Sequence, residues 1–176
     1  MNLPNKLTML RIFLIPIFII LLMFDLWYVA AIVFIVASVT DALDGMIARR
    51  MNLITNFGKL MDPLADKLLV TAALVCFVQL DVMDAWMVIV ILAREFLITG
   101  LRTVAAGQGI ILAAGISGKL KTVFQMLAII IILLQDWPFT LITDAPVGLI
   151  LMWIAVIMTI YSGAEYVIKN RRVFQE

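Results

Sequence analysis

The chain has 176 residues, 65% of them hydrophobic, and a net charge of +1, with a mean hydropathy of +1.15. That much apolar surface exceeds what one water-soluble domain of this length can bury, and it points to a helical protein that crosses a membrane several times. Histidine is absent and Cys76 is the single cysteine, which excludes an intrachain disulfide and any imidazole or multi-thiolate metal site; a bound metal must take oxygen ligands, favouring Mg2+, Mn2+ or Ca2+.

The pattern predicts an all-α integral membrane protein, one domain over residues 1–176, with six transmembrane helices at 8–24, 27–49, 58–80, 84–106, 118–135 and 146–168. Residues 2–7 are polar enough to form a short N-terminal interfacial segment. Lys6 and Arg11 ahead of an apolar run, with Ala30 and Ala31 behind it, imitate a secretory leader. The next stretch is equally apolar and leads straight into an acidic window, so the first run reads as a retained span. Pro16 should kink that span, or at least loosen it. Asp25, then Asp81 and Asp84, then residues 136–146 mark three turns on one side, with Trp27, Tyr28, Trp86 and Trp137 beside them as interfacial aromatics. Lys6, Arg11, Arg49, Arg50, Lys59, Lys67, Arg94, Arg102, Lys119, Lys121, Lys169, Arg171 and Arg172 all fall toward the other side. Positive-inside bias makes that side, and both termini, cytoplasmic. Gly107, Gly109, Gly115 and Gly118 predict a bent connection before the fifth helix.

The most informative window is D-x2-D-G-x2-A-R-x8-G-x3-D-x3-D, formed by Asp41, Asp44, Gly45, Ala48, Arg49, Gly58, Asp62 and Asp66. Ionised groups between two apolar segments are expensive and mark function by default. Asp41 and Asp44 share one helix face, and Asp62 and Asp66 share a face of the next helix. For a turn over residues 50–57, Asp41 and Asp66 lie roughly 13 Å along their helices, and Asp44 and Asp62 roughly 8 Å. Two pairs at matching depth would form an oxygen cage whose repulsion two hard divalent cations would relieve. Gly45 and Ala48 leave a groove beside it. The plainer readings are that the acids pair with Lys59, Lys67, Arg49 and Arg50, that Gly45 is a helix-packing glycine and that Arg49 is a cytoplasmic anchor.

These eight residues resemble, position for position, the signature of the CDP-alcohol phosphotransferase family, integral membrane enzymes that move a phosphatidyl or similar group from a CDP-linked donor to an alcohol and release CMP. The segments Asn2-Leu3-Pro4-Asn5-Lys6-Leu7-Thr8 with Arg11, Ala93-Arg94-Glu95-Phe96 with Thr99, Gly100, Leu101 and Arg102, and Gly118-Lys119-Leu120-Lys121-Thr122 are similar to the bacterial phosphatidylglycerophosphate synthases within it. The last span is the least diagnostic part.

The resemblance implies six transmembrane helices, a cytoplasm-facing site in the bacterial cytoplasmic membrane and a homodimer. It implies two divalent cations, Mg2+ or Mn2+, with Asp41, Asp44 and Asp62 as ligands and Asp66 completing the second metal site and acting as general base. Asp44, Gly45, Ala48, Arg49 and Gly58 would receive the donor CDP-diacylglycerol, whose acyl tails stay among the membrane lipids. The acceptor would be sn-glycerol 3-phosphate; no nucleic-acid partner is expected. A small dianion needs cations, and Arg94, roughly 15 Å along the fourth helix from the outer turn, is deep for an arginine. Arg94, Arg102, Lys119 and Lys121 are the candidate acceptor-phosphate ligands, with Thr8 and Arg11 lining the same pocket and Glu95 orienting an arginine. The bland alternatives are a snorkelling Arg94, lysines that merely anchor a helix start, and Thr8 as a helix-start residue.

Two rival functions remain at this level. One is the same reaction with serine or inositol phosphate as acceptor, which the acidic window cannot distinguish. The other is a divalent-cation transporter using the acids as a path, although the acids lie toward one face and no paired half-helices suggest alternating access. A purely structural scaffold leaves the four carboxylates without a purpose.

Overall fold

The computed structural model describes residues 3–50, 56–109, 112 and 115–170, and for residues 3–7, 41–50, 56–63 and 66 it describes the backbone alone. The described residues form α1 (Leu3–Met23), α2 (Trp27–Arg50), α3 (Asn56–Gln79), α4 (Ala85–Gly107), α5 (Ile116–Leu133) and α6 (Val147–Lys169), with a short 3-10 turn at Phe139–Leu141 and no strand among them. Every predicted span has its helix. The largest displacement is at the start of α1, where residues 3–7 continue the helix instead of forming a separate segment. Pro4 suits the first turn, whose backbone N–H groups have no partner within the helix. The helix also continues through Pro16 from Leu3 to Met23.

The acidic turns act as helix terminators. Asp25, Asp81 and Asp136 take positive φ values of 59°, 54° and 60° just beyond α1, α3 and α5. Aspartate is among the few residues other than glycine that enter this left-handed region readily.

The helices group into two compact units, Met1–Leu80 with Leu133–Gln135, and Asp81–Ile132 with Asp136–Glu176. In the first, α1 lies against both α2 and α3, and α2 meets α3. Ala30, Ala31, Phe34 and Ala37 form the buried face of α2 at helical spacing; the small side chains let backbones approach closely. Phe18 meets Phe34 at 5.8 Å between ring centres, and Trp27 stacks on Phe77 at 6.4 Å. In the second unit α4 packs on α6. Met87, Val88, Ile91, Ile98, Leu101 and Ala105 form the buried face of α4, and Met152, Ala155, Val156, Thr159, Ser162 and Tyr166 are buried on α6. Asp136 accepts the Gly148 N–H, fastening the turn after α5 to the first turn of α6.

Both units expose large apolar side chains, with Phe13 65%, Phe24 74%, Ile89 66% and Phe96 65% accessible. Water-soluble monomers rarely present apolar surface on this scale. Among the described residues α5 and α6 are each long and apolar enough to cross a membrane, while the apolar stretches Thr8–Met23, Trp27–Thr40 and Lys67–Gln79 are shorter. The middle and second half of α4 carry Arg94, Glu95 and Arg102.

Candidate active site

Backbone geometry puts Asp41, Asp44, Gly45, Ala48 and Arg49 on α2, and Gly58, Asp62 and Asp66 on α3. The two acid pairs, at i,i+3 and i,i+4, therefore sit on helices that touch each other within one unit. The side chains of all eight signature residues lie outside the described residues, as do residues 51–55, the middle of the turn expected over residues 50–57.

The second unit holds a cleft of about 570 Å³ between the middle and second half of α4, the start of α5 and the end of α6. Arg94, Arg102 and Lys119 line it. Arg94 threads between two glycines. A Cβ on Gly118 of α5 would stand 2.9 Å from Arg94 Nη2, and one on Gly163 of α6 would stand 3.1 Å from Arg94 Cγ. The absence of both side chains is what lets a long cationic side chain run between the helices. Arg94 Nε is buried with no hydrogen-bond partner, a situation that costs about 1–3 kcal/mol for a polar group.

Lys121 is placed differently from the other candidates. It is buried further along α5, and its Nζ donates to Glu95 Oε1 at 2.6 Å. Glu95, expected to orient an arginine, thus holds a lysine. The reason is rotational phase: this face of α4 meets the Lys121 face of α5, while Arg94 points one residue away around the helix. Thr8 and Arg11 belong to the first unit, where both are buried and Arg11 Nε donates to the Ala37 carbonyl. Thr99 is exposed, and its hydroxyl donates to the Glu95 carbonyl one turn back.

Residues of the cleft that the sequence reading missed come mainly from α6. Ser162, Glu165, Tyr166 and Lys169 follow one another at i, i+3, i+4 and i+7 and all line the cleft. That spacing puts them on one helix face, a polar stripe visible in the sequence but masked by reading α6 only as an apolar span. Glu165 accepts from Ser117 on α5 and from Lys169 one turn on, so the carboxylate is neutralised locally and the cleft keeps a positive surplus from Arg94, Arg102 and Lys119.

The glycine slot makes a direct prediction. Gly118→Ala forces the Arg94 guanidinium to shift, whereas Gly100→Ala, with nothing within 4 Å of its new Cβ, disturbs nothing. If the cleft receives the second substrate, Gly118→Ala should raise that substrate's KM about three- to tenfold, the scale of weakening one charged hydrogen bond. Gly100→Ala should leave it unchanged. Equal KM values in both variants would remove Arg94 from binding.

The family model for CDP-alcohol phosphatidyltransferases matches residues 1–161. The chain is 50% identical to the CDP-diacylglycerol–glycerol-3-phosphate 3-phosphatidyltransferase of Bacillus subtilis, over 96% of this chain and 95% of that protein. It is 42% identical to the protein of the same name from Rickettsia typhi, over 94% of each. It is 34% identical to a probable phosphatidylglycerophosphate synthase of Mycobacterium tuberculosis, over 97% of this chain and 82% of that protein. With the acidic pairs of α2 and α3 carried on touching helices and the match running through five helices and into the sixth, the chain belongs to the CDP-alcohol phosphatidyltransferase family.

Proposed function

We propose that this protein transfers the phosphatidyl group from CDP-diacylglycerol to sn-glycerol 3-phosphate, giving phosphatidylglycerophosphate and CMP. The observation that carries the choice of acceptor is the cleft lined together by Arg94, Arg102 and Lys119. An acceptor without a phosphate would leave those charges without a partner. The names of the relatives support the same acceptor.

Asp41, Asp44, Asp62 and Asp66 would hold two divalent cations, Mg2+ or Mn2+. The donor chemistry fits, since the set is all carboxylate and hard cations prefer oxygen. When bound, such ions withdraw charge from the diphosphate and stabilise the departing CMP. The chain's own residues do the rest. Asp66 takes the proton of the acceptor hydroxyl as it attacks the phosphatidyl phosphorus. Gly45 and Ala48 leave room for the cytidine, Arg49 holds a donor phosphate, and Gly58 gives clearance at the start of α3. Arg94, Arg102 and Lys119 hold the acceptor phosphate and exclude neutral alcohols.

We read residues 1–176 as one catalytic domain with six membrane spans, both termini and the active site on the cytoplasmic side of a bacterial inner membrane, functioning as a homodimer. The exposed apolar faces support the membrane spans, and the sequence positions of the Lys and Arg residues support the orientation. The test is an acceptor panel. Purified protein with CDP-diacylglycerol and divalent metal should release CMP with sn-glycerol 3-phosphate and not with serine or inositol phosphate. Arg94→Ala or Arg102→Ala should raise the KM for glycerol 3-phosphate tenfold or more, roughly the scale of one charged hydrogen bond. Incorporation of serine in its place refutes the acceptor, and cation flux in liposomes without CMP release refutes the enzyme.

A further inference from the structure

We propose that Tyr166 is a positioning residue that aims Arg102 at the acceptor phosphate, an inference that rests on the cleft being the glycerol 3-phosphate site. Arg102 Nε donates to the Tyr166 hydroxyl at 3.1 Å, and the guanidinium carbon lies 5.5 Å from the ring centre. The tyrosine is itself immobilised. It is buried in a cluster with Ile98 and Leu101, with Leu112 and Val167 packed against it. Its carbonyl accepts from the Asn170 side chain at 2.7 Å.

The chemistry of the guanidinium explains why this contact matters. Arginine carries five N–H donors in a rigid plane, one on Nε and four on the two Nη atoms. A hydrogen bond that uses the Nε donor fixes the plane and leaves the Nη donors for a tetrahedral anion. An arginine side chain left free would lose considerable rotamer freedom on binding. Anchoring Nε removes part of that loss before the ligand arrives. Arg94 is held by another means, the glycine slot, and its Nε has no partner. The cleft thus presents one arginine fixed by a tyrosine and another fixed by helix packing.

The test is a double-mutant cycle on the full-length enzyme in detergent–phospholipid micelles. Tyr166→Phe keeps the ring, its packing and its face toward the cation, and removes only the acceptor oxygen. It should raise the KM for glycerol 3-phosphate about three- to tenfold with kcat and the KM for CDP-diacylglycerol little changed. The inhibition constant of inorganic phosphate, competing with glycerol 3-phosphate, should rise in parallel. In an Arg102→Ala background Tyr166→Phe should have no further effect, because the tyrosine acts through the arginine. A Tyr166→Phe effect that persists undiminished in that background overturns the proposal and makes the hydroxyl a direct ligand. An unchanged KM in Tyr166→Phe, beside a raised KM in Arg102→Ala, also overturns it. An unchanged KM in Arg102→Ala overturns the acceptor site itself, and the positioning role with it.

Discussion

Asp62→Asn is expected to reduce CMP release by about a thousandfold or more, at least the loss seen when one preorganised charge-stabilising group is removed from an active site. Asp41→Asn and Asp66→Asn should do the same. Asparagine is isosteric with aspartate but neutral, so α2 and α3 keep their packing while the site loses a charged oxygen donor. The effect reaches beyond one contact because four carboxylates only tolerate one another when cations lie between them. Circular dichroism and gel filtration of each variant should match the parent protein. Chelation of the parent enzyme should abolish activity, and Mg2+ or Mn2+ should restore it. Full turnover in any of the three variants would end the metal-site reading, whatever the acceptor.

The second large effect is on stability. Lys121 is 1% exposed and bonded to Glu95, itself 19% exposed, across α4 and α5. Removing Lys121 leaves the partly buried Glu95 carboxylate without its lysine, at a cost that approaches the figure for a fully buried pair, about 3–5 kcal/mol. Lys121→Met should therefore lower the thermal unfolding temperature sharply in detergent. The double change Glu95→Gln with Lys121→Met should recover much of the loss, because replacing both charges removes the desolvation cost along with the attraction. If Lys121→Met instead left stability intact and raised only the KM for glycerol 3-phosphate, Lys121 would be the phosphate ligand that its position in the sequence suggests.

That contrast marks where one-dimensional reading stops. Lys119 and Lys121 look equivalent in the sequence, two cations at the start of an apolar run, yet one lines the cleft and the other neutralises Glu95. They are two residues apart, which on a helix is about 200° of rotation, so they cannot face the same way. Spacing places Tyr166 on a polar stripe of α6, but its role depends on where Arg102 of α4 comes to rest. The polar stripe of Ser162, Glu165, Tyr166 and Lys169 was available in the sequence at helical spacing, and only the assumption that α6 is a plain span hid it.

Composition and hydropathy alone determined the helical class and the helix positions, because apolar run length and turn chemistry are local properties of the chain. The spacing of the acids likewise determined which two helices carry them and which family signature they make. What only the tertiary structure decided was where these charged side chains come to rest: Lys121 on Glu95, Arg94 between Gly118 and Gly163, Arg102 on Tyr166. Helical periodicity says which side chains share a face, but which face meets which neighbour depends on the rotation and depth at which whole helices pack.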